Sequence, residues 1–334
     1  LMWRRIRRWL FWLVVSLLVI ILTTLLAFSL SPRPSAYLIK RMFDGPVTIT
    51  DKSAFQSASK NVTVTSNVVY PSHYQKNTLD IYRPKNVTKS KATLVWVHGG
   101  GYVGGDKSGM KEFATKIAAD AKLTVIAINY QLAPTATYPS QLYQLNDAIN
   151  YLKSQSNLNI SKIIVGGDSA GAQIALQYAA LATNKSYAKS MKFQTAIPKY
   201  AVKGAISYCG PVNLKQVLDQ KSDSLLLKWF VHSVAWSELG TRQWQKSVEL
   251  KQASLVDHLT GEFPPTYITD GNAYSFQDQG LAFEKKLKQL GIPVTSQFFN
   301  HSNESITHEY QFNYQTKEAK KCYQQTLAYI ASVE

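Results

Sequence analysis

Residues 162–180 read KIIVGGDSAGAQIALQYAA, and this stretch decides the fold. A β-type apolar run leads into GDSAG at 167–171, and a helical pattern follows at once. A serine on a sharp strand-to-helix turn needs small neighbours, because the backbone there is strained and closely packed. The helix N-terminus adds amide groups and positive dipole beside the hydroxyl. We therefore predict that Ser169 is a nucleophile held above the edge of a sheet.

A second glycine-rich turn, HGGGY at 98–102, directly follows the apolar run ATLVWV at 92–97. Consecutive glycines let backbone N–H groups approach a substrate oxygen without interference from a Cβ atom. The turn lies one strand–helix–strand–helix–strand module upstream of the serine, which is the spacing expected of an oxyanion loop. We predict that the amides of Gly100, Gly101 and Ala170 form an oxyanion hole.

From about residue 60 the apolar pattern alternates between strand-like and helix-like periods. The predicted strands are 62–70, 78–82, 92–97, 124–129, 162–166, 204–208, 266–270 and 293–299. The predicted helices are 109–121, 140–154, 169–182, 276–290 and 315–332. Strands alternating with helices predict an α/β fold, with a mostly parallel central sheet and helices on both faces.

This alternation stops between about residues 212 and 262, where Trp229, Phe230, Trp236 and Trp244 occur at roughly helical spacing. An insertion between two core strands would lie over the carboxyl edge of the sheet, where ligands bind. We predict a small helical cap that shapes the substrate pocket. For most of these aromatic side chains, packing of the insertion onto the core is the expected role.

The general base should follow the last core strand, since the chain order in such folds is nucleophile, acid, histidine. His301 and His308 both lie there, and we favour His308 because it leads into the final helical segment. His232 and His258 fall in the predicted cap, and His98 precedes the serine. We expect structural roles for these three.

Together, HGGGY and GDSAG resemble the hormone-sensitive-lipase-like branch of the α/β-hydrolase carboxylesterases. Further matches are LDIYRP (79–84), NYQLAP (129–134), Tyr138-Pro139, Asp147 and PPTYITDGN (264–272). The resemblance covers about residues 60–332. It implies an α/β-hydrolase fold and a cofactor-free serine hydrolase that acts on short or medium acyl esters through a Ser-acid-His triad.

The sequence departs from this family at the triad acid, because Tyr274 stands where the family carries its aspartate. Three nearby carboxylates are alternatives, and we rank Asp270 first, Asp278 second and Glu304 third. A fourth alternative is that none serves, which would leave a Ser-His dyad. Asp168 is excluded, because its side chain should point away from the neighbouring Ser169.

Residues 9–30 form an uninterrupted apolar run that is long enough to cross a bilayer. An arginine cluster precedes the run and predicts a cytoplasmic N-terminus with the rest of the chain outside. We interpret residues 1–31 as a transmembrane signal-anchor, with a cleaved signal peptide as the alternative. Residues 32–59 are then a juxtamembrane linker, and residues 60–334 form the hydrolase domain.

The composition of the chain limits the classes of ligand and partner that we expect it to bind. A formal charge of +16 favours anionic surfaces, but no basic block lies outside the N-terminus and no nucleic-acid motif is present, so we expect no nucleic-acid partner. Cys209 and Cys322 make neither a disulfide framework nor a zinc pattern. We expect buried thiols and no metal, with a single disulfide left open.

The predicted function is therefore that of a carboxylesterase on small ester or acetylated substrates. The outward position and basic charge also suggest a deacetylase of cell-surface or wall glycans. A peptidase is permitted by the fold. A catalytically weak binding module is suggested by Tyr274.

Overall fold

The computed structural model describes residues 2–218 and 224–334, and a single sheet organises the region beyond residue 60. Its eight strands are, in chain order, β1 (Val62–Val69), β2 (Thr78–Pro84), β3 (Thr93–Val97), β4 (Thr124–Ile128), β5 (Ile163–Asp168), β6 (Val202–Tyr208), β7 (Thr266–Thr269) and β8 (Val294–Gln297). Their spatial order is β1-β2-β4-β3-β5-β6-β7-β8. Strand β2 runs antiparallel to both neighbours, and the other pairings are parallel.

Helices connect these strands and cover both faces of the sheet. They are α1 (Met2–Leu30), α2 (Arg33–Phe43), α3 (Lys52–Lys60), α4 (Lys111–Asp120), α5 (Ser140–Leu152), α6 (Ala170–Thr183), α7 (Lys185–Ser190), α8 (Leu225–Leu239), α9 (Val248–Gln252), α10 (Gln277–Gln289) and α11 (Lys317–Val333). Short 3₁₀ turns cover Lys107–Met110, Lys199–Ala201, Leu214–Leu218, Trp244–Lys246, Leu255–His258 and Tyr310–Phe312.

Two apolar clusters lie on opposite faces of the sheet. Val95 and Val97 of β3 pack with α5, α6 and α10, whereas Leu94 and Trp96 pack with α4 and α11. Successive side chains of a strand point to opposite faces, so a strand covered on both sides must be apolar throughout. All five residues of β3 are buried accordingly. The predicted α/β fold, with a mostly parallel sheet and helices on both faces, is confirmed.

The predicted linker at 32–59 contains two helices, α2 and α3. Helix α2 buries Ser35, Ala36 and Ile39, and it packs against α8. The predicted cap at 212–262 contains α8, α9 and three short 3₁₀ turns, and its residues 219–223 lie outside the described residues. The N-terminal segments and the cap are thus in contact although they are far apart in sequence.

Helix α1 stands apart from the core. It contains 29 residues, and its most apolar window has a mean hydropathy of 2.8 with none of it buried. At 1.5 Å per residue the helix is roughly 43 Å long, which exceeds the roughly 30 Å hydrocarbon core of a bilayer. Its length and composition are therefore sufficient to span a membrane.

The junction of β5 and α6 is closely packed because two glycines allow it. A Cβ on Gly167 would collide with the backbone of Gly171, and a Cβ on Gly171 would collide with the carbonyl oxygen of Val97. The turn after β5 therefore lies directly against the end of β3. Small residues are required at both positions for steric reasons.

The Gly171→Ala substitution should therefore destabilise the protein. Alanine has the higher helix propensity, by up to about 1 kcal/mol, but the clash is with backbone and cannot be relieved by a side-chain rotation. We expect a net loss of about 2 kcal/mol in the free energy of unfolding, or roughly 5 °C in Tm, measured by thermal unfolding in detergent. Gly109→Ala is the matched control, since no atom lies within 4 Å of its added Cβ. Equal Tm values for the two variants would contradict this packing argument.

Candidate active site

Ser169 occupies a strained turn between β5 and α6. Its backbone angles are φ 49° and ψ −121°, in a region that residues with a side chain rarely adopt. Its N–H donates to the carbonyl of Tyr208 at 2.8 Å, which fixes the turn against the neighbouring strand β6. The residue is 9% exposed, so the hydroxyl is reachable from one side only. This is the geometry of a nucleophile elbow.

His308 is the histidine that the structure places on this serine. Its Nε2 lies 3.0 Å from Oγ of Ser169, within hydrogen-bond distance. The loop that carries it is fixed by its own N–H, which donates to Ala273 at 3.1 Å. The ring of Phe276 contacts the imidazole edge-on, with 5.5 Å between ring centroids. His308 can therefore accept the serine proton without a conformational change.

Asp270 is the carboxylate that faces the other side of the imidazole. Its Oδ1 lies 3.5 Å from Nδ1 of His308, which is longer than a full hydrogen bond. The carboxylate is 2% exposed, and it accepts the N–H groups of Gly271 and Phe276 at 2.7 Å each. These two bonds hold its position at the end of β7. A shift of about half an ångström would complete its bond to His308.

The other candidate acids lie elsewhere. Asp278 is exposed in the first turn of α10, and Glu304 is exposed and pairs with Lys317 at 3.5 Å. Tyr274 is 93% exposed and adopts a positive φ of 53°. Of the three ranked alternatives, the structure brings only Asp270 to His308 among the described residues.

The charges around His308 set its proton affinity. Burial lowers the pKa of the imidazole, but the carboxylate of Asp270 opposes it, and Glu309 and Asp168 add to that effect. The net result is a pKa raised above the ordinary value of 6.5. An imidazolium formed during proton transfer is therefore stabilised at this position.

The glycine loop after β3 presents its amides beside the elbow. Gly100 and Gly101 have φ angles of 111° and 57°, and a Cβ on Gly100 would overlap the carbonyl of Gly104. Within residues 2–218 and 224–334, the amides of Gly100 and Gly101 donate to no protein acceptor. Ala170 is the first residue of α6, so its N–H has no partner inside the helix. The predicted oxyanion donors are thus available to a ligand.

Asp168 holds the elbow and this loop together. Its carboxylate accepts the indole N–H of Trp96 and the backbone N–H of Gly99, both at 2.7 Å. Burial, reinforced by the negative charge of Glu309, raises the pKa of Asp168 to about 7. The side chain points away from Ser169 toward β3, as expected. Its bridging role was not predicted, because no local pattern links an elbow aspartate to a tryptophan 72 residues away.

The remaining predicted histidines have structural contacts. His98 is buried, stacks on Tyr130 and contacts the carbonyl of Gly99 at 2.7 Å, and burial lowers its pKa to about 4. His232 accepts the indole N–H of Trp244 at 3.1 Å. The other two candidates, His258 and His301, contact Tyr187 and Asn300 respectively.

One set of groups has the donor types of a metal site. Atoms of Cys209, His308 and Glu309 lie within 4.8 Å of one another. Burial raises the pKa of the Cys209 thiol well above its usual range, so the thiolate that a metal requires is disfavoured. The set is therefore a poor fit to a metal ion. Both Cys209 and Cys322 are buried free thiols.

A family model described as "alpha/beta hydrolase fold" matches residues 94–307, which is more than half of the chain. The chain belongs to the α/β-hydrolase family. This match confirms the resemblance to α/β-hydrolase carboxylesterases that the sequence motifs indicated.

Individual relatives agree with this assignment. A protein of Acanthamoeba polyphaga mimivirus that is named as an α/β hydrolase is 29% identical over 65% of this chain and 61% of its own length. The acetyl esterase of Salmonella paratyphi B is 34% identical over 36% of this chain and 38% of its own length. The chain thus spans less than two thirds of these curated relatives.

Solved structures show the same fold. A bacterial heroin esterase superposes with a TM-score of 0.67 at 18% identity, covering 90% of this chain and 98% of its own. Esterase B from Lactobacillus Rhamnosis superposes with a TM-score of 0.66 at 16% identity, covering 83% of this chain and 90% of its own. At these identities the likeness concerns the fold alone.

The raised pKa of His308 predicts a specific pH profile. A general base works only when neutral, so the rate should fall as the pH drops through a value above 6.5. Removing the negative charge with Asp270→Asn should move this acidic limb to lower pH. The measurement is kcat/KM for p-nitrophenyl acetate between about pH 5 and 9, using residual activity for the variant. If the acidic limb of the pH profile lies at the same pH in Asp270→Asn as in the wild type, Asp270 is not the cause of the raised pKa of His308.

Proposed function

We propose that this protein is a serine hydrolase that cleaves short- to medium-chain carboxylic esters through an acyl-enzyme. The observation that carries the proposal is the 3.0 Å approach of His308 Nε2 to Ser169 Oγ at a strained strand-to-helix turn. A hydroxyl in this position becomes a nucleophile when the adjacent base takes its proton. The family assignment supports the same chemistry.

The first half of the reaction is acyl transfer to Ser169. The Oγ atom attacks the ester carbonyl while Nε2 of His308 accepts the hydroxyl proton. Negative charge develops on the carbonyl oxygen, and the amides of Gly100, Gly101 and Ala170 stabilise it. His308 then gives the proton to the leaving alcohol as the C–O bond breaks.

The second half repeats these steps with water. His308 takes a proton from water, the resulting hydroxide attacks the acyl-enzyme, and the proton returns to Ser169 as the carboxylic acid leaves. Throughout, Asp270 keeps the Nδ1 proton oriented toward itself, so that Nε2 is free to accept. Asp270 also stabilises the imidazolium by its charge.

The acyl group that best fits the comparisons is a small one. The Salmonella relatives are named acetyl esterases and align over 125 residues of this chain. This similarity also supports the second candidate function, removal of acetyl groups from surface or wall glycans. Acetate release from acetylated glycan by the full chain would support that candidate.

We also propose that α1 anchors the protein and that the hydrolase region lies outside the cytoplasm. The apolar helix is long enough to span a bilayer, and the arginines in its first turns favour the cytoplasmic side. If the segment is instead a cleaved signal peptide, the hydrolase region would also lie outside the cytoplasm, but it would have no membrane anchor. Retention of the full chain in carbonate-washed membranes would support the anchor.

Replacing the nucleophile tests the proposed function directly. Ser169→Ala should lower kcat for p-nitrophenyl butyrate by at least about 10⁴-fold, because no other group can form the acyl-enzyme. A fluorophosphonate should label the wild-type protein and leave this variant unlabelled. Comparable turnover by the variant would refute the proposal. An unlabelled, inactive wild-type protein would favour the binding-module alternative.

The acid can be assigned by three conservative amide substitutions. Asp270→Asn should reduce kcat by about 10²–10⁴-fold, since the amide cannot stabilise the imidazolium. Asp278→Asn and Glu304→Gln serve as matched controls and should change kcat by less than about twofold, because both carboxylates are exposed. A large loss in either control, with Asp270→Asn unaffected, would reassign the acid.

A further inference from the structure

The helix that follows the membrane-spanning segment forms part of the active-site wall. Only Ser31 and Pro32 separate α1 from α2, so α2 begins within roughly 10 Å of the end of α1. At its other end, Phe43 contacts the glycine loop. A Cβ on Gly104 would lie 3.0 Å from Cβ of Phe43, and one on Gly101 would lie 3.5 Å from its ring. One short helix therefore connects the bilayer to the oxyanion loop.

The cap helix α8 packs against α2 and contacts residues near both ends of it. Near the membrane end of α2, the indole N–H of Trp229 donates to Ser35 Oγ at 3.2 Å. Near the active-site end, Phe230 contacts Phe43 with 6.4 Å between ring centroids, and Val234 approaches the same part of the glycine loop. The second turn of α8 therefore contacts the first turn of α2, which is the end of α2 that follows α1.

This arrangement places a group of apolar side chains beside the membrane. Helix α8 begins with Leu225, Leu226 and Leu227, which are 80%, 69% and 42% exposed. Leu226 is roughly 5 Å along the helix from Trp229, and so it is close to the membrane end of α2. On α2 itself, Leu38 and Met42 are 47% and 67% exposed, respectively. Exposed apolar side chains on two helices that are in contact indicate a contact surface.

The charges around these side chains fit a lipid interface. Arg33 and Arg41 on α2 and Lys228 on α8 are exposed, and α2 contains no acidic residue. Basic side chains flanking an apolar helical surface are typical of segments that lie in the headgroup region of anionic membranes. A protein partner would not need to lie beside a membrane-spanning helix.

We propose that the exposed apolar side chains of α2 and the first turn of α8 dock into the bilayer that α1 spans, and that the active site thereby takes esters dissolved in that bilayer. The surface defined by Leu38, Met42 and Leu225–Leu227 is named the docking surface. The second half of this statement rests on the proposed esterase function. The first half rests on the contacts of α2 and α8 and on the proposed anchoring by α1.

Depth measurement tests the docking directly on the full chain. Leu226→Cys and Met42→Cys would be labelled with the fluorophore NBD in vesicles of phosphatidylcholine and phosphatidylglycerol. We expect lipids spin-labelled near the top of the acyl chain to quench both positions at least about twofold. Tyr200→Cys is the control, since Tyr200 is 69% exposed and precedes β6, at the sheet edge opposite the site. Quenching at 226 and 42 that does not exceed that at 200 would overturn the docking.

Activity on two esters tests the substrate class. A Leu225→Ser/Leu226→Ser double variant should hydrolyse a long-chain fluorogenic ester dissolved in the vesicles about tenfold more slowly. Its kinetics on water-soluble p-nitrophenyl acetate should be unchanged, because neither leucine belongs to the catalytic machinery. If the wild type and the variant hydrolyse the ester in the vesicles at equal rates, the proposal that the active site takes esters from the bilayer is overturned.

The quenching experiment and the hydrolysis experiment test the docking and the proposed esterase function separately. Quenching of the labelled variants at positions 226 and 42, together with a wild-type protein that hydrolyses neither ester, would support docking and refute the esterase function. Absence of quenching in both labelled variants, together with a wild-type protein that hydrolyses p-nitrophenyl acetate, would refute docking and leave the esterase function supported.

Discussion

The carboxylate of Asp168 and its two hydrogen bonds hold the site together. The same side chain joins Trp96 of the central strand to Gly99 of the glycine loop. Since Asp168 precedes the nucleophile and Gly99 precedes the first oxyanion donor, these bonds fix the position of one relative to the other. A buried carboxylate is costly unless it is hydrogen-bonded, so both donors are needed for the protein to tolerate it. The stability of the fold and the position of Ser169 relative to the glycine loop therefore depend on the same two hydrogen bonds.

Asp270, which we propose as the triad acid, shows how the fold accommodates Tyr274 at the position where the family carries its aspartate. Asp270 lies at the end of β7, and the backbone of the following loop closes over its carboxylate through Gly271 and Phe276. The same loop is joined to the loop of His308 by a bridge between Ala273 and Thr307. The acid and the base are thus carried by two segments that are bonded to each other. The exposed side chain of Tyr274 takes no part in this framework.

Much of the sheet was predictable because its strands are either alternating or apolar throughout, and helical periods separate them. The elbow and the glycine loop were predictable because steric demands at a close approach leave few residues that fit. The choice among Asp270, Asp278 and Glu304 was not predictable, since spacing along the chain does not say which way a loop carboxylate turns. Helices α2 and α3 were missed as well. The buried face of α2 is short and packs on distant segments such as α8 and the glycine loop, so the sequence of residues 32–59 alone carries little of that pattern.

The site is built from distant parts of the chain, and this has a structural consequence. Trp229 of the cap bonds to Ser35 across 194 residues, and Phe43 closes against the loop that carries Gly101. The cap insertion, which was expected to shape the pocket, and helix α2, which was expected to be part of a linker, are thus in contact beside the glycine loop. The two segments also contact the core separately, since Phe43 of α2 and Val234 of α8 both approach Gly101. The environment of α1 and the shape of the site are therefore linked by direct packing through a single helix, with no flexible linker between them.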